Sequence, residues 1–303
     1  MSTHDLPLWR RQAERGSPVL MRAIARFARL FGRRAAGALL PPICLYFIAA
    51  SPVARRASRG YLARALGRTP RFADVFRHFH AFATTLLDRV FWRTEGVAGY
   101  DIGFEGVDVV HAALHEGRGC LMMGAHFGSF ELAQVIARAI PRLDIDVLMQ
   151  PDNARKFTAV MRDVDPALER HVIVLGRPDT MLRVRDALAA GHMVGLLADR
   201  SLRDEDLVRC RFLGADAEFP RGPFKLAAAL GAPVLYFRSV WRGGRRYAVR
   251  FERAPAPSRG AVDTAVEAYA HWLEQACRDA PCNWFNFYDF WPADARPAAR
   301  EGA

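Results

Sequence analysis

Two kinds of hydrophobic periodicity divide the chain near residue 117. Before it, apolar positions recur at helical spacing. In 72–92 (FADVFRHFHAFATTLLDRVFW), Phe72, Val75, Phe76, Phe79, Phe82, Ala83, Leu86, Leu87 and Val90 return every three or four residues, which predicts one long helix. After it, short apolar runs bounded by Gly and Pro alternate with helical stretches. Runs 119–125, 146–150, 172–175, 193–198 and 233–240 read as strands, and 130–140, 180–190, 222–230 and 262–277 as helices. Alternation at this spacing predicts an α/β fold with a mixed, largely parallel sheet flanked by helices.

The first quarter has a different character. In 20–34 (LMRAIARFARLFGRR), helical geometry places Arg22, Arg26, Arg29 and Arg33 within about 60° of one another, with Leu20, Ile24, Phe27 and Phe31 opposite. A basic amphipathic helix of this kind suits the headgroup region of an anionic membrane. Residues 35–50 (AAGALLPPICLYFIAA) carry no charge, yet they fall short of the roughly 20 residues that span a bilayer and are interrupted by Pro41-Pro42. Arginines flank this stretch on both sides, so the charge asymmetry that orients a single crossing is missing. Residues 1–71 are therefore expected to form a membrane-associating segment, interfacial or re-entrant, and residues 72–303 the α/β domain.

Charge sharpens this division. The net +11 of the 303-residue chain lies entirely in residues 1–75, with 14 Arg against 3 acids, and residues 76–303 are neutral. A basic excess confined to an amphipathic, apolar segment argues for a lipid surface and against nucleic acid. The five cysteines (Cys44, Cys120, Cys210, Cys277, Cys282) are odd in number and contain no CxxC pair, which argues against a zinc ribbon or a disulfide framework. His78 and His80, two positions apart on a helix, point to different faces and do not form a metal pair. No metal is expected, and no Gly-rich nucleotide motif occurs.

In parallel sheets, chemistry collects at the carboxyl ends of the strands. The first strong strand ends in Gly124-Ala125-His126-Phe127-Gly128-Ser129-Phe130-Glu131. A histidine followed five positions later by an acid occurs twice, at His126/Glu131 and His111/Glu116; the second pair lies on a helix, about 140° apart. At the first, Gly128 permits a turn and Ser129 is available as a cap, so a loop is expected to bring His126 back to Glu131. Glu131 would then accept one imidazole proton and leave the other nitrogen basic. Ser129 lacks a G-x-S-x-G elbow and Cys120 opens its strand, so neither is expected to act as a nucleophile. A dyad without its own nucleophile suits a general base acting on a substrate hydroxyl.

The block His126–Glu131, read as His126-Phe127-Gly128-Ser129-Phe130-Glu131, resembles the H-x4-[D/E] signature of the bacterial lipid A late acyltransferase family. The resemblance extends to the basic, apolar N-terminal segment, to Leu196-Leu197-Ala198-Asp199-Arg200, to Phe219-Pro220-Arg221-Gly222-Pro223 and to Leu230-Gly231-Ala232-Pro233-Val234. It implies transfer of a fatty acyl chain, or in divergent branches a polyene acyl chain, from an acyl carrier protein thioester to a hydroxyl of a glycolipid or lipid A-like acceptor. The place of action would be the cytoplasmic face of the bacterial inner membrane, with no cofactor beyond the acyl-carrier co-substrate. By position, His126 would be the base and Glu131 its orienting partner. Asp199 and Arg200 would follow a later strand, with Arg200 holding an anionic headgroup or carrier phosphate. Arg221 and Gly222 would open a helix whose amides face a developing oxyanion.

Ser129-Phe130 departs from the Asn-Trp usual in that family, and the tail 283–291 (NWFNFYDFW) is unusually aromatic, either bordering an acyl groove or closing the core. Two other readings stand beside the first: an acyl-CoA-dependent lysophospholipid acyltransferase, and a non-enzymatic basic membrane-binding protein.

Overall fold

The protein is described by a computed structural model covering residues 18–115, 117–137, 143–149, 171–200, 206–255 and 257–291, with side chains in the first helix described at 26–28 and 30–38. Position 150 of the expected strand 146–150, positions 138–140 of the expected helix 130–140, and Glu116 lie outside these residues.

Four helices lead the chain: α1 (Pro18–Ala38), α2 (Leu40–Ala50), α3 (Pro52–Leu66) and α4 (Phe72–Glu95). The body follows as β1 (Asp101–Glu105), α5 (Val107–His115), β2 (Cys120–Gly124), α6 (Glu131–Ala137), β3 (Ile145–Met149), β4 (Val172–Val174), α7 (Thr180–Ala189), β5 (Met193–Leu197), β6 (Leu207–Phe212), β7 (Ala215–Pro220), α8 (Gly222–Leu230), β8 (Val234–Trp241), β9 (Arg246–Arg253) and α9 (Val262–Asp279). Seven strands form one sheet in the order β1-β9-β8-β2-β5-β3-β4, and β6-β7 form a separate hairpin. Every pair in the large sheet is parallel except β8-β9, so the expected mixed, largely parallel α/β architecture is what the chain adopts.

The all-apolar strand β2 is central and fully buried, as a strand covered on both faces must be. Its alternate residues feed two cores. Leu121 and Met123 join Val194, Leu196 and Tyr269 on one face, while Cys120 and Met122 join Phe130, Met193 and Phe237 on the other. The long helix predicted at 72–92 is α4. At about 1.5 Å per residue its 24 residues run about 36 Å, and it contributes Phe79 to the first core, Trp92 to the second and Phe91 to a third cluster with α1 and α2. Ordinary packing of the N-terminal helices is thus part of the fold: Cys44, Ile48, Tyr61 and Leu62 lie in the same core as the sheet.

Pro41 and Pro42 occupy the first turn of α2, where a missing N–H costs nothing, so they open a helix there. Of the expected arginine face of α1, the side chains of Arg22 and Arg29 lie outside the described residues, Arg26 is exposed, and Arg33 leaves the face. Gly32 (φ 78, ψ 169) kinks the helix and breaks its phase, and Arg33 turns inward onto Asp88 of α4. The Asp88 carboxylate, wholly buried, also accepts Tyr100 Oη at 3.0 Å and Tyr247 Oη at 2.7 Å. Burial, reinforced by Asp88, pushes the Tyr247 phenol far up. No described helix is long and apolar enough to cross a membrane.

The β6-β7 hairpin and the edge pairs β1 and β9 were not anticipated from periodicity. A two-residue turn, Leu213-Gly214, joins β6 to β7 with both residues at positive φ (50° and 83°), the geometry that matches strand twist. Leu213 bears that conformation because its N–H donates to Glu274 of α9 at 2.6 Å.

Candidate active site

Register assembles the site. In the parallel ladder Gly124 lies opposite Leu197, and Ala198 N–H extends the pairing by donating to the Gly124 carbonyl at 2.9 Å. Two residues beyond each strand end come His126 and Asp199, which the ladder therefore sets side by side at the carboxyl edge of the sheet. His126 Nδ1 lies 2.8 Å from Asp199 Oδ1, and the His126 backbone N–H donates to Oδ2 at 3.0 Å. Because a carboxylate only accepts, Nδ1 carries the proton and the lone pair of the neutral ring sits on Nε2. Among the described residues Nε2 has no protein partner, and the imidazole is a quarter exposed while Asp199 is 1% exposed.

This arrangement corrects the expected pairing. Glu131 does not hold the imidazole. Its Oε1 lies 2.9 Å from Arg89 Nη1 of α4, and its Oε2 accepts Ser129 Oγ–H at 2.9 Å. The reason is directional: Glu131 is the first residue of α6 and its side chain meets α4, whereas Nδ1 points along the sheet edge toward β5. Ser129, a cap candidate by sequence, also accepts from Arg89 Nε at 3.2 Å, and it is fixed by Ser239, whose hydroxyl accepts Ser129 N–H at 2.7 Å and donates to the Ser129 carbonyl at 2.9 Å. Gly128 makes that approach possible. It sits at φ 62, and a Cβ there would collide with the Ser239 carbonyl.

The aromatic tail closes over the loop. Phe127 bridges antiparallel to Trp284, Gly128 N–H donates to the Asn283 carbonyl at 2.8 Å, and Phe285 N–H donates to the His126 carbonyl at 2.7 Å. Trp284, Phe285, Phe290 and Trp291 are buried, so this tail completes the core. Trp284 also reaches the chemistry, its indole N–H donating to Asp199 Oδ2 at 3.0 Å.

The electrostatics follow from this geometry. Burial alone would push the Asp199 carboxyl up, but the adjoining His126, Arg200 and the Trp284 indole hold it far below the ordinary range, so it stays ionised. Burial first, then Arg200, depress His126 below its usual 6.5 despite Asp199, which leaves the ring neutral at pH 7. Glu131 is likewise held down, with Arg89 overcoming its burial. Arg200 lies over the Tyr288 ring at 5.3 Å and donates to the Phe285 carbonyl at 3.0 Å; among the described residues no carboxylate is in salt-bridge reach of it, and its buried Nε has no hydrogen-bond partner.

Of the residues singled out in the sequence, His126, Asp199 and Arg200 come together, with Glu131 held beside them by Arg89. Arg221 and Gly222 stand at the end of β7 and the start of α8. Arg221 is committed to Asp263, 2.7 Å away, and to the Leu207 carbonyl, and none of its partners belongs to the dyad. Arg89, Ser239 and Trp284 escaped sequence reasoning as site residues. No local signal marks Arg89 or Ser239, and the sequence shows Trp284 only as part of an aromatic run.

A wide, mostly parallel sheet bearing at its edge a neutral, partly open histidine braced by a buried carboxylate is an α/β arrangement of a kind that suits general-base chemistry. Comparison with known proteins narrows the class. The profile of the bacterial lipid A biosynthesis acyltransferases matches residues 71–292, and the chain belongs to that family; it is an acyltransferase. It is also similar to a phosphatidylinositol mannoside acyltransferase of Mycolicibacterium smegmatis, 24% identical over 247 residues that cover 78% of this chain and 79% of the relative.

Proposed function

We propose that the enzyme moves an acyl chain from an acyl carrier protein thioester to a hydroxyl of a glycolipid. The observation that carries this reading is the orientation of His126: Nδ1–H is tied to Asp199, and Nε2 is left with its lone pair and no partner among the described residues. Nε2 takes the proton of the acceptor hydroxyl, the oxygen attacks the thioester carbonyl, the C–O bond forms and the C–S bond breaks. The imidazolium, stabilised by Asp199, then returns its proton to the leaving thiolate. No metal or cofactor enters this scheme. Glu131, anchored by Arg89, braces the loop between His126 and α6.

Arg200 is assigned to an anionic group of the substrate, because its guanidinium lies beside the dyad without a carboxylate partner among the described residues. The relative's name specifies a mannoside acceptor built on a phospholipid, which supports a phosphate-bearing glycolipid as the class. Arg221 and Gly222 are left with a structural role at the start of α8.

The same reading places the enzyme at the cytoplasmic face of the inner membrane. Leu30, Phe31, Leu45, Tyr46 and Val53 on α1, α2 and α3, and Leu39 between α1 and α2, are exposed large apolar side chains, and Arg34, Arg56 and Arg59 are exposed on the same helices. The test is acyl transfer by the full chain on vesicles containing anionic phospholipid and a glycolipid extract, with radiolabelled acyl carrier protein or acyl-CoA as donor. Labelled glycolipid from the carrier thioester, lost in His126→Ala, is expected. Transfer from acyl-CoA to a lysophospholipid alone would instead establish the second enzymatic reading.

A further inference from the structure

The chain of contacts behind the dyad continues past Trp284. Its carbonyl accepts His78 Nε2–H at 2.8 Å, and His78 Nδ1 accepts Ser58 Oγ–H at 2.8 Å. His78 and Ser58 are fully buried, on α4 and α3 respectively. The Trp284 ring is pinned edge-on by Tyr61 of α3, 4.9 Å between centroids, and the Tyr61 phenol donates to the Pro281 carbonyl at 2.8 Å. Both ends of Trp284 are thus engaged, the carbonyl by the N-terminal helices and the indole by Asp199. A buried imidazole stacked on Phe287 at 4.5 Å and bonded at both nitrogens admits one orientation of this segment.

We propose that Trp284 is a positioning residue for the His126–Asp199 pair and that His78, anchored by Ser58, sets Trp284, so the N-terminal helical layer fixes the geometry of the base. The inference rests on His126 acting as that base. Asp199 divides its two oxygens between one imidazole N–H on Oδ1 and two further donors, the indole and the His126 backbone, on Oδ2. Withdrawing the indole removes a donor that spreads the carboxylate charge, and more of that charge then falls on the imidazole. The His126 midpoint must rise. The other charged or titratable groups facing the pair are Arg200 beyond β5, Arg89 of α4, Tyr269 and Cys277 of α9, and Tyr288 of the tail, and the substitution touches none of them.

The experiment follows the histidine Cε1 resonances of the full chain, labelled with 13C and assigned with His126→Gln, from pH 4 to 9. Trp284→Phe is compared with Trp291→Phe, whose lost N–H bond is to the Phe212 carbonyl in the same aromatic cluster. A third variant carries at position 284 a benzothiophene isostere of tryptophan, which keeps the ring shape and loses only the N–H. In both position-284 variants the His126 midpoint is expected to move up by at least about 0.5 pH units, and turnover of an acyl thioester to fall about tenfold. Trp291→Phe should leave the midpoint in place. His78→Leu should repeat the Trp284 effect, and His78→Gln, which restores a donor to the Trp284 carbonyl, should reverse most of it. An unmoved His126 midpoint in the isostere, or equal shifts in Trp284→Phe and Trp291→Phe, would overturn the proposal. A shifted midpoint with no acyl transfer from any donor would sink the functional reading and leave the positioning role standing.

Discussion

Asp199→Asn separates the two carboxylates that compete for the role of partner to His126. The amide oxygen of Asn can still accept the His126 backbone N–H and the Trp284 indole, so the loop keeps two of its three bonds at this residue. The amide nitrogen then faces Nδ1, 2.8 Å away in the native pair. A ring nitrogen that faces a donor must be unprotonated, so the neutral imidazole places its proton on Nε2, the nitrogen that has to receive one. The imidazolium formed during transfer also loses its counter-ion. In the serine-protease triad the equivalent change lowers turnover about 10⁴-fold, and a loss of about 10³–10⁴-fold is expected here with the fold preserved. Single-turnover acyl transfer from an acyl thioester at pH 7.5 measures it, with thermal unfolding as the control for folding. The acid limb of the wild-type rate profile should lie below pH 6.5, because burial and then Arg200 depress His126, and in Asp199→Asn it should move lower still as the carboxylate's support for the imidazolium disappears. Retention of more than about one tenth of the turnover by Asp199→Asn, together with a large loss in Glu131→Gln, would refute this reasoning and return the partner's role to Glu131.

Three further outcomes follow from the packing. Burial lowers His78 from 6.5 to about 4, so the unfolded chain binds the extra proton first; stability is full above pH 6.5 and falls as pH drops toward 4, by about 3 kcal/mol at pH 4, a dependence that urea titrations should find flattened in His78→Gln. Asp88→Asn leaves Arg33 without its counter-ion in a buried setting and should cost about 3–5 kcal/mol, read as a lower urea midpoint and faster tryptic cleavage within α1. Gly128→Ala should cost about 2–4 kcal/mol and most activity, since it strains a positive-φ position and drives a methyl group into the Ser239 carbonyl; wild-type stability would contradict the placement of that loop.

The N-terminal helices and the edge of the sheet that carries His126 are joined through α4. Its side chains set Asp88 against Arg33 of α1, Arg89 against Glu131, and His78 against Trp284. One helix thus carries links from the N-terminal segment to the residues around His126.

Local interactions determine what a sequence displays by itself, and in this protein they displayed a good deal. The apolar runs of β2 and β5, closed by Gly124 and by Asp199, and of β8, opened by Pro233, specified strands of a covered sheet. The nine apolar positions between Phe72 and Val90 specified α4, and the break after Gly124 marked His126 as a residue at a strand's carboxyl end. These signals arise within a few residues and survive any tertiary context that keeps the period. The partner of His126 was decided elsewhere. Glu131 lies five residues away and Asp199 lies 73, yet Asp199 is bonded because the ladder of β2 and β5 aligns Gly124 with Leu197. Arg33 was drawn off its expected face by a kink at Gly32 and a buried carboxylate on α4, and Trp284 became part of the site only when the tail paired with Phe127. Strand order, register and chain closure couple residues far apart in sequence, so which carboxylate, which guanidinium and which indole meet around His126 is settled only when the sheet assembles.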